Sequence, residues 1–459
     1  MKISLNKIGI TKNSQTYRVL EKIERQGGKT YVVGGTIRDY FFNAKSKDLD
    51  IEVFGISARR ASDILSSVSN QVKVVGKFSI ITARLDNDTV EFSFPRKSRV
   101  PGQTVALPEM VADMTIEEAC MQRDFTMNSM ALSFDGTLID EYGGVRDIKN
   151  RVLRYTSKHT FADDPMRVIR AMQFLSRFCL TPDKELIQLS RNLSCKYSGL
   201  DSDRFLAEWR KWAKGNCPAS GIKFLHLSDW MVHFPFGELG FPVKHIEFGR
   251  TQNPLTQTLD SLTRITPHLS GWDNERRLIL LIATLFQNVG KVASVANSGG
   301  AVATVNYDTA CVNKAELFMK SVHFNKSSAR RVTALLLWHA NLRMGKIDDT
   351  DVIRMANDLH PVTIDDWYLF VKNIYQDHPN GDYYLALIEK IYKVAQNRGV
   401  NKNKPPALLK GQDLLDLGFP PGKELGGVLD MFRERQLNGE ITNREQALSL
   451  LRDYLAERG

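Results

Sequence analysis

The alternation of hydrophobic and polar positions divides the chain into a mixed first part and a helical remainder. Up to about residue 150, short runs rich in β-branched and aromatic residues alternate with polar positions, at the two-residue period of a strand. Beyond about residue 160, apolar residues recur at every third or fourth position, the period of amphipathic helices. We therefore expect an α+β head followed by an all-helical remainder.

The head contains several segments with a definite predicted structure. Residues 29–33 form a β-rich run, and residues 36–42 then follow a helical pattern. Residues 48–54 alternate polar and apolar side chains, as a half-buried strand does. Two hairpins are predicted, one turning at residues 86–88 and one at Asp135-Gly136.

Glycine, proline and serine are concentrated at a few places in the helical part, which we interpret as breaks between helices. A Lys/Asn/Pro segment at residues 401–406 has the composition of a linker. We predict a head over residues 1–150, a neck over 151–240, a body over 241–400 and a tail over 401–459.

Composition narrows the class of protein. Hydrophobic residues make up 42% of the chain and charged residues 25%, which is ordinary for a globular protein. No apolar run approaches the roughly 18 residues needed to cross a bilayer, and residues 1–15 lack the apolar core of a secretory signal. Five widely spaced cysteines favour reduced thiols and a cytoplasmic location. The net charge of +10 is compatible with a polyanionic partner, although many basic proteins bind no nucleic acid.

The turn after the first predicted strand is a candidate phosphate site. Gly34 and Gly35 let backbone N–H groups approach an anion closely, and a helix N-terminus favours negative charge. Arg38, near the start of that helix, has the charge and geometry to add a bond to phosphate. A plain strand-to-helix turn with a surface arginine would have the same sequence. This motif alone therefore does not distinguish a phosphate-binding turn from a turn without a ligand.

The next predicted strand carries candidate metal ligands. Asp48 and Asp50, two positions apart, project from the same face of a strand, opposite the apolar side chains. Carboxylate oxygens suit Mg²⁺, and metal ions so held activate an attacking hydroxyl and stabilise a departing pyrophosphate. Glu91, in a later strand, points away from its apolar face and is a candidate third carboxylate. A solvated acidic face would give the same pattern in both strands.

Ordered motifs along the chain resemble those of a known enzyme family. They are Val33-Gly34-Gly35-x-x-Arg38-Asp39 with Asp48-x-Asp50, then Arg123-Asp124-Phe125-Thr126-Met127-Asn128, then Asp140 with Gly143-Gly144 and Asp147, and finally Asp163-Asp164-Pro165-Met166-Arg167-Val168-Ile169-Arg170-Ala171. The chain is thereby similar to the tRNA nucleotidyltransferases of the bacterial and eukaryotic type, which build the CCA end of tRNA. The similarity extends over roughly residues 29–215 and is weaker beyond them.

The resemblance implies a polymerase-β-like nucleotidyltransferase head, followed by a helical neck, body and tail. It implies template-independent addition of CMP and AMP to the tRNA 3′ end, with CTP and ATP as substrates and Mg²⁺ as cofactor. Together with the strand pattern, it identifies Asp48, Asp50 and Glu91 as catalytic candidates, with Asp48 and Asp50 holding the metal. The nucleotide-binding residues expected are Gly34, Gly35, Arg38, Arg123, Asp124, Asp164, Arg167 and Arg170.

Asp164 and Arg167 also have the chemistry to select the base. Cytosine and adenine each present an amine donor beside a ring-nitrogen acceptor, so a carboxylate and a guanidinium complement both. Uracil and guanine present a carbonyl where the carboxylate needs a donor. The resemblance implies that this Asp–Arg pair replaces a nucleic acid template, whereas a charged helix face would account for the same residues structurally.

The region from residue 252 to residue 291 resembles an HD-type helical domain whose metal ligands have been replaced. Gln257 stands where a histidine is expected, and Gln287 and Asn288 stand where a His-Asp pair is expected. Neutral amides are poor ligands for divalent metals, and His339 alone would not hold one. We therefore predict a structural or RNA-facing domain without phosphohydrolase activity. The tail, over residues 411–447, is also similar to the family, and its basic residues are expected to follow the tRNA backbone.

Three alternatives remain open at this point. The first is an enzyme that adds only CC or only A. Residues 95–114 are poorly similar to the family's loop that takes part in adding the final A. A poly(A) polymerase is the second, although Gly76-Lys77-Phe78 retains only a fragment of that family's basic stretch. A non-catalytic RNA-binding relative is the third, and the retention of Asp48, Asp50, Arg123 and Arg167 argues against it.

Overall fold

The chain forms two compact units, which are described separately. The computed structural model describes residues 1–44, 49–75, 80–86, 88–95, 114–200, 202–241, 243–245, 250–291 and 304–457. The first unit comprises Met1–Asp201 and Ser220–Trp230, and the second comprises Ser202–Ala219 and Met231–Gly459. The four-domain division at residues 150, 240 and 400 stays a prediction.

The first unit is built on a mixed seven-stranded sheet with the order β3-β4-β5-β2-β1-β6-β7. Its strands are β1 (Lys29–Val33), β2 (Leu49–Phe54), β3 (Val72–Val75), β4 (Ile80–Leu85), β5 (Asp88–Ser93), β6 (Ala131–Ser133) and β7 (Leu138–Ile139). Strands β2 and β5 are parallel, and the other neighbouring pairs are antiparallel.

The side-chain alternation predicted for the central strands is confirmed in β5 and is only partly met in β2, where Glu52 on the polar face is buried as well. In β2, Ile51 and Val53 are completely buried, and in β5 Val90 and Phe92 are buried while Glu91 is exposed. Burying one apolar face fixes the register, because a slip of one residue would turn these side chains to the other face. The functional side chains of β2 and β5 are therefore held on the opposite face by the packing of the core.

Both predicted hairpins are present. Leu85 pairs with Asp88 across the first turn, and Asp86 there has a positive φ of 53°. The Asp86 carboxylate also accepts hydrogen bonds from the backbone N–H groups of Gln15 and Thr16, at the start of a helix. The second hairpin joins β6 and β7 through Gly136, whose φ is 81°.

Helices and one short parallel sheet accompany the seven-stranded sheet in the part of the first unit up to Asn192. The helices are α1 (Gln15–Arg25), α2 (Gly35–Phe41), α3 (Ala58–Ser66), α4 (Ile116–Met121), α5 (Gly144–Lys149), α6 (Lys158–Asp163), α7 (Met166–Phe178) and α8 (Lys184–Asn192), and the sheet pairs β8 (Val152–Leu153) with β9 (Thr181–Pro182). Helix α7 has the predicted amphipathic character, since Ile169, Met172 and Leu175 are buried while Arg167 and Arg170 are partly exposed.

The rest of the chain is largely helical, as predicted, with one further short hairpin of β10 (Val243–His245) and β11 (Arg250–Gln252). The helices are α9 (Ser202–Ala213), α10 (Pro218–Leu227), α11 (Pro254–Ile265), α12 (Asn274–Phe286), α13 (Thr304–Ser321), α14 (Lys326–Arg343), α15 (Asp351–Leu359), α16 (Ile364–Tyr375), α17 (Gly381–Asn397), α18 (Gly411–Asp416), α19 (Lys423–Leu437) and α20 (Arg444–Ala456). Helix α12 is buried on all sides from Arg277 to Phe286, so it is the core helix of the second unit.

The expectation of five reduced thiols is only partly met. Cys120, Cys195 and Cys311 are free, whereas Cys179 and Cys217 are disulfide-bonded. Disulfide formation depends on the spatial approach of two cysteines, which their spacing in a long sequence does not reveal.

None of the helices in the described part of the chain combines the length and the hydropathy that a bilayer crossing requires.

Candidate active site

The turn between β1 and α2 brings the backbone against two charged side chains. Gly34 has a φ of 67°, in the left-handed region that favours glycine. A Cβ at this position would lie 3.2 Å from Nη1 of Arg123 and 3.6 Å from Oδ2 of Asp50. Gly34 thus allows the turn to pass close to a cation and a carboxylate that lie far apart in sequence.

Asp50 and Glu91 are direct neighbours in the parallel pairing of β2 and β5. Residues paired in this way project from the same face of a sheet, and the buried side chains Ile51 and Phe92 project from the other. The structure therefore brings together two of the three carboxylates predicted from the sequence. The third, Asp48, lies outside the described residues, as do Gly76-Lys77-Phe78 and residues 96–113 of the poorly matching loop.

The carboxylate pair provides oxygen ligands of the type that Mg²⁺ prefers. Within the described ranges, which exclude Asp48, no group of three or more His, Cys, Asp or Glu side chains is arranged to hold a metal ion. The predicted ligand set of Asp48 and Asp50 therefore stays a prediction, with Glu91 beside it.

Arg123 is fixed by an ion pair that we did not predict. Its Nη2 lies 2.7 Å from Oε2 of Glu52, and both side chains are largely buried. Glu52 follows Asp50 by two positions on β2, so it projects from the same face. The Nε of Arg123 is buried and has no hydrogen-bond partner among the described residues. Glu52 thus holds the guanidinium beside the Gly34 turn while leaving some of its donor capacity unused.

Asp124 is the centre of a buried hydrogen-bond network. Its Oδ2 accepts from Nε and Nη2 of Arg170 at 2.8 and 2.6 Å. Its Oδ1 accepts from Nδ2 of Asn128 and from the backbone N–H of Phe125. Burial alone would raise the pKa of Asp124, but the charge of Arg170 and the bonds from Asn128 and Arg170 lower it below its usual value. Asp124 is thereby held in its charged form.

The network continues to Arg38, which is buried rather than exposed at the surface. Its Nη1 donates to Oδ1 of Asn128 at 2.9 Å, and its Nη2 lies 2.7 Å from the carboxylate of Asp39. The guanidinium also lies over the ring of Phe178, 4.8 Å from its centroid, a cation–π arrangement. Arg38 and Arg170 are therefore connected through Asn128 and Asp124.

The segment that carries Arg123 and Asp124 is anchored by the residues of the third motif. A Cβ on Gly144 would lie 2.4 Å from the backbone oxygen of Thr126, so only glycine permits this close packing. Oδ2 of the buried Asp147 accepts from the Thr126 hydroxyl at 2.8 Å. Asp140 accepts from the backbone N–H groups at the start of α5. These residues position the site without forming part of it.

Asp164 and Arg167 lie at the start of α7. Oδ1 of Asp164 accepts from the backbone N–H of Met166 at 3.1 Å. Nη2 of Arg167 donates to the backbone carbonyl of Gln122 at 2.9 Å, while its Nη1 is buried without a hydrogen-bond partner among the described residues. Burial lowers the pKa of Arg167, and the charges of Asp124 and Asp164 oppose that shift. The guanidinium of Arg167 is therefore stabilised by two carboxylates, those of Asp164 and Asp124.

Two of the three positions at which HD-type ligands are replaced, Gln257 and Asn288, make hydrogen bonds to neighbouring side chains. Nζ of Lys291 donates to Oε1 of Gln257 at 2.7 Å, and Nδ2 of Asn288 donates to the hydroxyl of Thr258 at 3.1 Å. Burial lowers the pKa of Lys291 to about 8, with repulsion from Arg343 contributing. A partly buried ammonium group repels a divalent cation at this position, and the absence of phosphohydrolase activity stays a prediction.

His339, the other residue considered for that site, is packed in the interior. Its Nε2 lies 3.0 Å from the hydroxyl of Tyr375. Burial lowers its pKa well below the usual value, with Arg343 and Lys291 adding repulsion. His339 therefore packs as a neutral core histidine.

Three contacts of the candidate site were absent from the sequence-based prediction. Glu52 was visible as one of the acidic residues on β2, and Asn128 as the last residue of the second motif, but no role followed from either. The carbonyl of Gln122 gave no signal at all, because any residue supplies a backbone oxygen.

The comparisons with known proteins agree with this geometry. Residues 30–154 match the family described as Poly A polymerase head domain. A multifunctional CCA protein of Neisseria gonorrhoeae is 33% identical over 192 residues, which cover 41% of this chain and 44% of that protein. The chain thus spans about half the length of the curated relatives that it matches.

Solved structures match over almost the whole chain. The CCA-adding enzyme of Bacillus stearothermophilus in complex with CTP has a TM-score of 0.59 at 16% identity, covering 97% of this chain and 98% of that one. The CCA-adding enzyme of Thermotoga maritima, complexed with tRNA, has a TM-score of 0.54 at 18% identity, covering 96% and 94%. The resemblance to tRNA nucleotidyltransferases is therefore confirmed, and the chain has the fold of the CCA-adding enzymes, with a polymerase-β-like head and a largely helical remainder.

Proposed function

We propose that this protein is a tRNA nucleotidyltransferase that adds CMP and AMP to the tRNA 3′ end to build or repair CCA. The observation that carries this proposal is the placement of Asp50 opposite Glu91, beside the Gly34 turn and Arg123. The relatives named as CCA proteins, and the Thermotoga maritima structure with tRNA, support the choice of acceptor. The substrates proposed are CTP, ATP and tRNA, and the proposed location is the cytoplasm.

In this proposal Asp48 and Asp50 hold Mg²⁺, and Glu91 adds a further carboxylate to the same face. When bound, the metal lowers the pKa of the terminal ribose hydroxyl and stabilises the departing pyrophosphate. If the metal lowers this pKa, no general-base side chain is required. The contribution of the described residues is to hold Asp50 on a central strand whose other face is packed in the core.

The Gly34 turn and Arg123 are proposed to bind the triphosphate. The absence of a side chain at Gly34 leaves room for a phosphate to approach the backbone N–H groups that begin α2. Arg123 lies directly beside this turn and retains a buried donor, while Glu52 fixes the orientation of its guanidinium. A charged donor that is already oriented loses little conformational freedom when the anion arrives.

Asp124, Arg170 and Arg38 are proposed to complete the nucleotide site as one preorganised network. Because Asp124 is held ionised by Arg170 and Asn128, it accepts hydrogen bonds and donates none. A ribose hydroxyl is a donor suited to such an acceptor. Arg38 acts through Asn128 in the described contacts, so its role is to position the network.

The Asp164 and Arg167 edge is proposed to select the base. Nη1 of Arg167 is a buried donor that has no hydrogen-bond partner in the part of the chain that the structure describes, and a ring nitrogen of cytosine or adenine is an acceptor that would satisfy it. The Asp164 carboxylate accepts from the exocyclic amine of either base. Uracil and guanine would place a carbonyl against the carboxylate and an N–H group against the guanidinium, so both interactions would become repulsive.

One assay tests the function and separates its variants. Transfer RNAs that end before the first C, before the second C and before the A are each offered CTP, ATP, UTP and GTP singly, and the products are sequenced. The proposal predicts C, C and A in turn, with no addition from UTP or GTP. Addition that stops after CC, or that occurs only at the last position, would indicate a partial enzyme. A tracts on an unrelated RNA, offered ATP in a parallel reaction, would indicate a poly(A) polymerase. A folded protein that adds nothing would leave only the non-catalytic RNA-binding relative.

A further inference from the structure

A cavity of about 850 Å³ lies in the second unit, between α13, α14 and α15. Its volume falls in the range of pockets that hold small molecules and cofactors. It lies within one compact unit, which does not contain the residues of the candidate active site. It is therefore a separate site, and nothing in the proposed transfer reaction makes use of it.

The charges around this cavity are not balanced. Four cationic side chains line it, namely Lys320, Lys326, Arg330 and Arg331, against two carboxylates, Glu316 and Asp358. Among the ion pairs of the described residues, none involves any of these four cations. Burial raises the pKa of Asp358, which disfavours its charged form, while hydrogen bonds from Asn357 and Trp338 oppose that rise. The cavity is therefore electropositive and has cations available to an anionic ligand.

Arg331 provides a second, independent sign of a missing partner. Its Nε is buried and has no hydrogen-bond partner among the described residues. Burial lowers its pKa, and repulsion from Arg330 lowers it further. Two neighbouring guanidinium groups without a counterion disfavour each other, and an anion bound between them would remove that cost.

The remaining lining is mostly apolar, although His323, Thr333 and Asn357 also belong to it, and this narrows the class of anion. Met319, Phe324 and Leu337 line the cavity, and the Leu337 side chain is 47% exposed. Contacts to an RNA backbone need cations at a surface and do not need an apolar cavity. An apolar wall beside converging cations fits instead a flat ring joined to a chain of phosphates.

We propose that this cavity binds a free nucleoside polyphosphate, with the phosphates on Arg330 and Arg331 and the base against Leu337. The number of cations supports a polyphosphate, since a single phosphodiester carries one negative charge and a triphosphate carries several. The proposal does not rest on the transfer reaction, because binding at this site is measured without it.

GTP is the best probe, since the Asp164 and Arg167 edge disfavours guanine at the other site. Equilibrium dialysis of the full chain with labelled GTP should show saturable binding. The double variant Arg330→Ala/Arg331→Ala should weaken it by about tenfold or more, since two charge-assisted contacts are lost. The matched control Arg398→Ala/Arg452→Ala removes two exposed arginines elsewhere in the second unit and should bind GTP as the wild type does.

A second variant tests the apolar wall. Leu337→Asp, at a half-exposed position, should weaken GTP binding more than it weakens binding of inorganic triphosphate, which has no ring. Thermal unfolding of each variant confirms that it is folded. GTP binding that is absent, or that the Arg330→Ala/Arg331→Ala variant leaves unchanged, would overturn the proposal. Binding of a single-stranded RNA oligomer that needs these arginines, and that GTP does not displace, would instead make this an RNA surface.

Discussion

Nη2 of Arg167 donates to the backbone carbonyl of Gln122 at 2.9 Å, and this bond fixes the direction of the guanidinium. The other terminal nitrogen, Nη1, then remains buried without a hydrogen-bond partner among the described residues. A buried donor left unsatisfied costs roughly 1–3 kcal/mol, so an arrangement of this kind favours a ligand that supplies the acceptor. The contact joins the motif at Arg123 to the motif at Arg167, which the sequence shows only as separate segments.

Replacing Arg167 should therefore affect base selection more than folding. Arg167→Lys keeps the charge but cannot bond the Gln122 carbonyl and a base at once, because it lacks the two-pronged guanidinium. We expect the preference for CTP over UTP to fall by about 10- to 100-fold, which corresponds to the loss of one hydrogen bond to a charged group. Arg167→Ala should lose at least as much. The measurement is kcat/KM for each nucleotide on a tRNA that lacks CCA.

The control for this prediction lies on the same helix. Arg177→Ala removes an arginine near the end of α7, away from Gln122, and should leave the CTP preference unchanged. An unchanged preference in folded Arg167→Lys and Arg167→Ala would remove Arg167 from the base-selecting role.

Asp50 should be required for transfer and dispensable for folding. Asp50→Asn keeps the shape of the side chain but removes the charge that a divalent metal needs, so we expect a fall in kcat of about a thousandfold or more. Glu91→Gln should lower kcat by a smaller factor, because Glu91 is exposed and only adjoins Asp50. Single-turnover transfer of CMP at saturating Mg²⁺ measures both.

Asp88→Asn is the matched control, since Asp88 is an exposed carboxylate at the start of the same strand as Glu91. It should transfer CMP at the wild-type rate. Full activity in folded Asp50→Asn protein would contradict the proposed function of the first unit as a whole.

The elements of the head followed from the sequence because each has a strong local cause. Alternation along β2, the apolar face of α7 and the glycine at position 34 are all set by neighbouring residues. The pairing of Glu52 with Arg123, and of Asn128 with Arg38, depends on how segments that are far apart in the sequence come together in the fold, and no local pattern encodes that. Arg38 was for this reason expected near a phosphate, whereas the described contacts tie it to Asn128, Asp39 and an aromatic ring.

The Asp124 network should make a pH-dependent contribution to stability. The folded-state pKa of Asp124 is below the ordinary value of 3.8, so its contribution is complete above that value and is lost as the pH falls below it. Asp124→Asn removes the charge that Arg170 and Asn128 stabilise. We expect the variant to be less stable than the wild type at pH 7, by about 3 kcal/mol, since breaking a buried ion pair leaves Arg170 without its partner.

Urea unfolding of the wild type and Asp124→Asn at pH 7, and at a series of values below 4, measures this difference. The gap should narrow as the pH falls, because the wild-type carboxyl also loses its charge. Asp63→Asn, on α3, provides a control that also removes one carboxylate from the first unit. A gap that is constant across the series would show that Asp124 stabilises through shape alone.

The partly buried ammonium of Lys291 should give the second unit a pH dependence of the same sign at alkaline pH, but here the fold disfavours the charged form of the group, whereas it favours the charged form of Asp124. The lysine keeps its proton up to an ordinary pKa of 10.5 in the unfolded chain, but loses it near pH 8 in the folded protein. The unfolded state therefore binds more protons between these values, and stability rises with pH across that interval. The full increase in the free energy of unfolding across the interval is about 3 kcal/mol, at 1.36 kcal/mol for each pKa unit.

Lys291→Met keeps most of the side-chain volume and removes the titrating group, so its stability relative to the wild type should fall steadily from pH 8 to pH 10.5. Urea unfolding of the two proteins at matched pH values isolates this difference from the titration of other groups. Cys311, a neighbour whose pKa burial raises to about 12, stays neutral across the interval. Lys390→Met removes an exposed lysine on α17, and its free energy of unfolding should change with pH as that of the wild type does. If the stability of Lys291→Met also followed that of the wild type across this pH range, Lys291 would be solvated in the folded protein. Its contact with Gln257 would then not place a buried cation where a metal site is expected.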